Sequence, residues 1–493
     1  MPIDKKWSLF TVVSVGVFMA TLDSSMVNIA LPAIMHEFQS RLHTTEWVVL
    51  IYLLTITATL LLWGHLGDRI GKNKIYPRGL LLFAMGSLAC AMSHTLTGLI
   101  TARCGQALGA AMMMATGPAL IKQTFPANQL GRCLGLIGIA VSLGLMTGPT
   151  LGGILIQFFS WRSIFLVTVP VGFLFFLLSR LVLPATERAR TSLHFDWLGG
   201  FFWSLALLLF SLTITHATAT DWSAPLLGVL LIAALAALAA FIKIETTTPQ
   251  PLLPLHLFSQ PFFTAAVSSA AISFMILFSV IMLTPFYLDR VLGLPSSRIG
   301  MIMMAIPLAA MVVAPIAGRL YDQMGAQLLS TAGLLLSTTG LLLLASLTAT
   351  ASPPQIAWRL ALMGGGQAMF LSPNSASLLG RVDKRYASSS AALLATARNL
   401  GMLLGIAQAG LAFSITFSRA TGGLDMKDFT SHQSDAFMLA LATAFRVAAA
   451  IGLLGALISW RRGKHPEPAA NQEGCPPEKR AAAKSGRDIH QGE

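Results

Sequence analysis

The chain has 493 residues, of which 55% are hydrophobic and only 11% are charged, and its mean hydropathy is +0.70. Soluble globular proteins are about one quarter charged, so this composition excludes a soluble domain and predicts a multi-pass membrane protein. The net charge of +13 is better explained by basic residues at one membrane face than by a nucleic-acid partner.

The apolar residues are grouped into fourteen stretches, each long enough to cross a bilayer at about 20 residues per span. They cover residues 8–32, 46–64, 75–94, 98–121, 132–157, 162–183, 197–217, 224–243, 261–288, 298–318, 327–347, 356–378, 387–416 and 436–460. The sequence therefore predicts an all-α polytopic membrane protein with 14 transmembrane helices. An even number of spans places both termini on the same side of the membrane.

Lys and Arg residues in the short loops predict the orientation. Most of them lie on the side of the N-terminus, and the opposite loops carry only Arg41, Arg162, Arg290, Arg298, Arg419 and Lys427. Because basic loops stay cytoplasmic, we expect a multi-pass protein of the inner (cytoplasmic) membrane with both termini in the cytoplasm. We call the side of the termini the predicted inner face and the side of Arg41 the predicted outer face. The first apolar run contains Asp23 and lacks a convincing cleavage site, so we interpret it as a span and not as a signal peptide.

A short charged connection between the second and third spans recurs later in the chain. Its defining residues are Gly64, Gly67, Asp68, Arg69, Gly71 and Lys72. The second copy lies 254 residues further on and contains Gly318, Asp322 and Gly325. Glycine permits sharp turns and close backbone approach, and both copies fall on the predicted inner face. We interpret them as an inner gate motif rather than as solvated turns.

The recurrence predicts the domain organisation. Residues 1–188 and 256–463 form two similar six-helix bundles, separated by a two-helix insert and linker at 189–255. Residues 464–493 form a cytoplasmic tail whose Pro, Ala, Glu and Lys content is typical of disorder. Two parallel six-span repeats are the plan of a secondary transporter with its site between the halves. The inserted spans carry no mid-span charge, and we expect them to face lipid.

Asp23 is the acidic residue that falls well inside a predicted span. A carboxylate in hydrocarbon is costly, so it should face a cavity. Burial disfavours its charged form and a nearby cation favours it, a combination suited to a proton carrier. The alternative is a structural aspartate that is hydrogen-bonded to Ser24 or Asn28. Arg103, with Gln106 one turn further on, is the expected partner, although Arg103 could instead extend to the outer headgroups.

Two arginines lie near mid-membrane in the second half, Arg398 and Arg446, and no membrane acid is available there to pair with them. They would hold backbone carbonyls, face a watery cavity or meet an anionic group of a substrate. The candidate cavity residues are Asn28, Gln106, Gln367, Asn374, Arg398 and Arg446, with Asn399 and Gln408 nearby. For any single amide, a hydrogen bond between helices is the commoner role.

The fifth span carries glycines at four-residue spacing. Gly144, Gly148 and Gly152 share one helix face, with Pro149 and Gly153 beside them. Such a face permits close helix contact, and the proline kinks the helix.

The cysteine and histidine positions predict neither a metal site nor a cofactor. Cys90 and Cys104 fall near the outer ends of adjacent spans, where free thiols are favoured over a disulfide. No Cys/His cluster has metal-ligand spacing.

Four of these motifs, in this order on these spans, resemble the major facilitator superfamily, in particular its fourteen-span drug:proton antiporter branch. They are the connection Gly64–Lys72, the first-span run Leu22–Pro32, the fourth-span run Arg103–Gly109 and the antiporter motif Gly144–Gly153. The resemblance covers residues 8–462. Asn73 stands where a base is usual, and Ser25 and Met26 also depart from the pattern.

The resemblance implies that the two halves rock about a central site, with Asp23 as protonation site, Arg103 as its partner and Asp68 bracing the inner gate. The expected function is proton-coupled export of amphipathic drugs or toxic compounds across the cytoplasmic membrane. Expected partners are the lipid bilayer, protons and an amphipathic small molecule, with a periplasmic adaptor and an outer-membrane channel as further candidates.

Three alternatives stay open. One is an exporter of a dedicated metabolite, siderophore or weak acid, which the unpaired Arg398 and Arg446 favour. A membrane-embedded enzyme is less favoured, because no paired acids, nucleophile with a base, or metal site is found. A channel is disfavoured by the two-half repeat with matched inner gates.

No Gly-x4-Gly-Lys motif for ATP is present, so ion coupling is the economical energy source.

Overall fold

The regular structure of the chain is helical throughout its described part. A computed structural model describes residues 3–125, 127–183, 196–216, 224–248, 255–382 and 387–462, and no strand occurs within these ranges. The predicted cytoplasmic tail, 464–493, and part of the predicted linker lie outside them.

Long helices joined by short connections form the first half. They are α1 (Ile3–Glu37), α2 (Leu42–Thr45), α3 (Trp47–Ile70), α4 (Lys72–Ala91), α5 (Leu96–Thr124), α6 (Ala127–Phe158), α7 (Ser163–Leu166) and α8 (Thr168–Val182). Tyr76 on α4 donates a hydrogen bond to the Val12 carbonyl of α1 at 3.0 Å. Gly109 on α5 lies so close to α4 that a Cβ there would be 2.8 Å from the Phe83 Cα. These contacts pack α1, α4 and α5 around a buried interior.

The insert and the second half continue the helical pattern. The insert contains α9 (Trp197–His216) and α10 (Ala224–Thr247). The second half contains α11 (Pro261–Phe286), α12 (Ser296–Met303), α13 (Ala305–Ala345), α14 (Pro353–Arg381), α15 (Ala387–Thr421) and α16 (Ser434–Trp460). Helix α13 is continuous except at Gly325, whose φ of +73° breaks it into two segments.

A tight helix crossing occurs at corresponding positions of the two halves. At Gly86 on α4, a Cβ would lie 2.5 Å from the Gln106 Cα of α5. At Gly340 on α13, 254 residues later, a Cβ would lie 3.1 Å from the Met363 Cα of α14. Only glycine lets the backbones approach this closely without displacement. The crossing therefore repeats with the same offset as the sequence motif.

The inserted helices pack beside α3. Trp203 on α9 donates from Nε1 to the Thr57 carbonyl at 3.3 Å, and Ser204 donates from Oγ to the Ala58 carbonyl at 3.2 Å. Helix α9 also contacts α15 of the second half. Most of α10 faces outward, with large exposed apolar side chains such as Val229 and Ile232.

Ten candidate spans are found in the described residues, fewer than the fourteen predicted. These helices are long and apolar enough to cross a membrane, and two shorter apolar helices, Leu143–Phe158 and Trp197–Thr213, fall below the length required. Helix α4 begins with charged and polar residues from Lys72 to Lys74, and α14 includes Arg359 and several amides and serines. Mean hydropathy is reduced by such residues, so these two helices do not qualify by composition.

Candidate functional site

A buried ion pair joins α1 to α5 in the interior of the first half. The side chains of Asp23 and Arg103 are both 0% exposed. Arg103 donates from Nη1 to Asp23 Oδ2 at 2.6 Å. The guanidinium therefore points inward and does not extend to the headgroups. The structure brings together the two residues that the sequence predicted as partners.

Gln106 completes a closed network with this pair. Its Nε2 donates to Asp23 Oδ1 at 2.8 Å and to Ser87 Oγ at 2.7 Å. Its Oε1 accepts from Arg103 Nη1 at 2.6 Å. Both carboxylate oxygens of Asp23 thus receive a hydrogen bond, and the amide fixes the angle between acid and base.

Helix α3 supplies further contacts of Arg103, and Phe165 of α7 also lies beside the guanidinium. Its Nε donates to the Val48 carbonyl at 3.0 Å, and its Cζ lies 4.1 Å from the centre of the Tyr52 ring. Tyr52 in turn donates to the Ala20 carbonyl of α1 at 3.4 Å. Sequence reasoning missed Tyr52, Ser87 and Val48. Val48 contributes only its backbone, so no side-chain pattern marks it.

The charges of Asp23 and Arg103 compensate each other inside the first half. A paired carboxylate and guanidinium are neutral together, whereas protonation of Asp23 would leave the Arg103 charge buried without its counter-ion. An uncompensated buried charge is costly. The ion pair therefore holds α1 against α5, and the bond from Arg103 to the Val48 carbonyl links both helices to α3.

Both copies of the inner gate motif contain a backbone break. Gly71, between α3 and α4, has a φ of +107°, and Gly325, within α13, has a φ of +73°. Gly67 lies close to α5, where a Cβ would be 2.9 Å from Thr116 Cγ2. The side chains of Asp68, Arg69 and Asp322 lie outside the described residues.

Alanine at either break should destabilise the protein. Because a side chain disfavours left-handed backbone, we expect Gly71→Ala and Gly325→Ala each to cost about 1–2 kcal/mol. Thermal unfolding of the purified variants measures this. Gly64→Ala is the matched control, since Gly64 is helical and a Cβ there would meet nothing within 4 Å. An equal loss in all three variants would contradict the explanation.

The glycine face of the antiporter motif packs against α1. A Cβ at Gly144 would lie 3.0 Å from the Phe18 carbonyl oxygen, and one at Gly148 would lie 2.5 Å from Ser25 Cβ. At Gly152 the nearest atoms, 3.2 Å away, belong to Met26. The face therefore holds α6 against the helix that carries Asp23.

Three close contacts join the two halves on the side of the predicted outer face, and we call them the outer seam. They are Gly153 of α6 with Ser296 of α12, Pro149 of α6 with Gly300 of α12, and Glu46 with Gly410 of α15. Nearby, Arg41 Nε lies 3.9 Å from Asp425 Oδ2, which joins the outer loops of the two halves. Sequence reasoning missed Glu46, because it stands at the end of a predicted span.

Three polar residues of the second half lie among α11, α14 and α15. Gln367 Oε1 accepts from Ser273 Oγ at 2.6 Å. Asn374 Nδ2 donates to the Ala266 carbonyl at 3.0 Å, and Arg398 Nη2 donates to Ser375 Oγ at 2.7 Å. Arg398 Nε, Gln367 Nε2 and the Asn399 and Gln408 amide nitrogens have no hydrogen-bond partner in the structure.

Asn374 is also bonded to the end of α16. Its Oδ1 accepts from Arg462 Nη2. Burial, with a smaller contribution from Arg381, lowers the pKa of Arg462 to about 10, so the guanidinium stays charged at neutral pH. Asn28, in the first half, donates to the Ser24 carbonyl at 2.8 Å and does not join the Asp23 network.

Arg446 does not lie with these residues, which corrects the prediction that it lines the cavity. Arg446 is exposed on α16. It lies about two helical turns from Leu439 and from Leu453, on the same face, and these leucines are 52% and 51% exposed. The buried face of α16 carries Phe445 and Ala449 instead. The length of the apolar run predicts that Arg446 lies near the middle of its span, but it does not predict the direction of the side chain.

Comparison with known proteins identifies the family. Residues 13–406 match the Major Facilitator Superfamily, and the chain belongs to that family. It is 33% identical to the riboflavin transporter RibZ of Clostridioides difficile (strain 630), covering 92% of this chain and 97% of that protein. It is 31% identical to the multidrug resistance protein Stp of Mycobacterium tuberculosis (strain CDC 1551 / Oshkosh), covering 80% and 73% respectively.

The fold comparison agrees with the family. The crystal structure of a bacterial homologue of the human lysosomal transporter Spinster, inward-facing and occupied, superposes with a TM-score of 0.62 at 15% identity. It covers 92% of this chain and 96% of that one. The protein is therefore a multi-pass membrane transporter and not an enzyme.

Proposed function

We propose that the protein is a proton-coupled secondary transporter that exports amphipathic compounds across the cytoplasmic membrane by alternating access. The observation that carries the proposal is the buried network of Asp23, Arg103 and Gln106. The network contains one acid, Asp23, whose protonation would break its ion pair with Arg103. Asp23 lies on α1, next to the glycine face of α6. Relatives named for resistance to several drugs or to methylenomycin A support export.

In this cycle, Asp23 takes a proton while the site is open to the outside. The neutral acid no longer holds Arg103, and α1 shifts against α5 and α3. This shift releases cargo or permits the turn to the inward-facing state. Loss of the proton to the cytoplasm restores the ion pair and resets the carrier.

We also propose the full architecture of fourteen spans with both termini cytoplasmic. Each of the fourteen predicted stretches coincides with a helical segment, including α4 and α14. The two-bundle division is supported by the matched breaks at Gly71 and Gly325 and by the matched crossings at Gly86 and Gly340. The inner gate motif, including Asp68, would then brace the closed state at the inner face.

Export of a dedicated metabolite is the second candidate. The similarity to a riboflavin transporter over nearly the whole chain favours a dedicated cargo, and Arg398 would suit an anionic one. Proteoliposomes with an imposed proton gradient distinguish the two, with lipophilic cations, neutral amphiphiles, weak acids and riboflavin tested as cargo. Transport of several unrelated amphiphiles supports the first proposal, whereas transport of riboflavin or one acid alone supports the second.

Arg398→Ala should affect anionic cargo selectively. Its guanidinium has a free Nε and is held by a serine rather than by an acid, so it can meet a carboxylate or phosphate of a cargo. We expect weak-acid transport to fall about 10-fold, the effect of one charged hydrogen bond, with cations unaffected. Arg446→Ala is the matched control because that arginine is exposed. Equal losses for cations and acids would argue against an anion contact.

A further inference from the structure

Glu46 is a buried carboxyl at the contact between the two halves. It stands between α2 and α3 and is only 2% exposed. Its carboxyl group lies directly against Gly410 of α15, so close that a Cβ there would overlap both carboxylate oxygens. The first half thus places an acid, and the second half a bare backbone, at the same point of the outer seam.

Among the described residues, no charged side chain is paired with the Glu46 carboxyl group. Glu46 Oε1 likewise has no hydrogen-bond partner among them. The helices packed around Glu46 carry these charged or titratable residues among the described side chains: Lys5, Lys6, Asp23, His36 and Glu37 on α1, Arg41 and His43 beside or on α2, Tyr52 on α3, Lys72, Lys74, Tyr76, Arg78 and Cys90 on α4, Arg103, Cys104 and Lys122 on α5, and Arg398 and Arg419 on α15. Arg103 is directed to Asp23, Arg41 to Asp425, and Glu37 to Arg162.

Burial without a compensating donor favours the neutral form of a carboxyl group, since an ionised carboxylate in such a site loses its hydration. Separation of α3 from α15 would return water to the carboxyl and permit ionisation. The open and closed states of the outer seam therefore differ in the affinity of Glu46 for a proton. By thermodynamic linkage, binding of this proton shifts the equilibrium between the two states.

We propose that Glu46 is a second proton-binding site, at which the outer seam closes on the neutral acid and opens when the acid ionises. The proposal rests on the alternating-access cycle proposed above, but not on the cargo or on proton binding at Asp23. On opening, the carboxyl O–H gives its proton to water at the outer face. This proton returns to the side it came from, so Glu46 regulates closure and does not carry protons across.

The direction of this pH response suits an exporter. An acidic exterior keeps Glu46 neutral and favours closure of the emptied outward-facing state. A single coupled proton changes the open-to-closed ratio by at most about 10-fold per pH unit. The same outside protons that would drive the cycle through Asp23 would thus also speed its return step.

The test measures the outer seam directly, with purified full-length protein in nanodiscs, without cargo or gradient. Spin labels on cysteines at Met92 and Leu424, exposed on the two halves, report the distance across the outer face in a background free of native cysteines. We expect the open fraction of the wild-type protein to rise as the pH increases, with a slope of one proton. Glu46→Gln should remain closed at every pH, with complete loss of the slope.

Four variants separate the explanations. Glu37→Gln is the matched control, because Glu37 pairs with Arg162 within the first half at 2.7 Å, and it should keep the wild-type titration. Gly410→Ala should open the seam at every pH, since its methyl group displaces the carboxyl. If Glu46→Gln titrates like the wild-type protein, the proposal is overturned. If the slope instead disappears in Asp23→Asn, the pH response belongs to Asp23, which leaves the proposed function intact and refutes this inference.

Discussion

Asp23→Asn should reduce proton-driven efflux to background. The asparagine keeps the size and one acceptor of the aspartate, so only one of the two donors, Gln106 Nε2 or Arg103 Nη1, can keep its hydrogen bond to this position, and no proton can be exchanged. The substitution also leaves Arg103 buried without a counter-ion, a loss of about 3–5 kcal/mol for a broken buried pair. Efflux in inverted membrane vesicles, measured with the amount of inserted protein held equal, reports the transport defect.

A double variant separates chemistry from stability. In Asp23→Asn with Arg103→Gln both charges are removed, and neutral replacement of a buried ion pair is often tolerated. We expect thermal stability to return close to that of the wild-type protein while proton-driven efflux stays at background. Full efflux in the stable double variant would refute Asp23 as the proton carrier.

Gly300→Ala should shift the transporter toward an open outer face. A methyl group at this position would lie 2.8 Å from the Pro149 carbonyl carbon and 3.2 Å from the Thr150 Cα. These are backbone atoms of α6, which cannot rotate away, so α6 and α12 must separate. Overpacking typically costs about 1–3 kcal/mol, which corresponds to a shift of about 5–150-fold in the open-to-closed ratio.

Labelling measures this shift. A cysteine at Ser297 should react faster with a membrane-impermeant maleimide added from outside when Gly300 is alanine. Gly365→Ala is the matched control, because a Cβ there would make only an ordinary contact of 3.4 Å with the Val313 side chain. Unchanged labelling in Gly300→Ala would show that the α6–α12 contact does not hold the outer face closed.

The Asp23 network could be predicted in part from the sequence because charge is rare in apolar spans. Asp23 and Arg103 are conspicuous for that reason, and helical spacing adds Gln106. Ser87 and Tyr52 are common residues for a membrane helix, and Val48 acts through its carbonyl. Their participation depends on how α3 and α4 pack against α5, which local pattern does not specify.

Glu46 and Arg446 show the limit of reasoning from span boundaries. At the end of a span, a charged residue is expected to reach water, but Glu46 is covered by α15, whose position depends on the second half of the chain. At mid-span, a charged residue is expected to face inward, but Arg446 shares the exposed face of Leu439 and Leu453. Both cases depend on the direction of the side chain, which is determined by tertiary packing.

The hydrogen bonds of α9 determine which body the insert moves with. Trp203 and Ser204 donate hydrogen bonds to carbonyls of α3, and α9 also packs against α15. The insert should therefore travel with the first half as one rigid unit and slide over α15. The first half with the insert would then contact more lipid than the second half. Changes in bilayer thickness or lateral pressure should therefore act more strongly on the first of these two moving bodies.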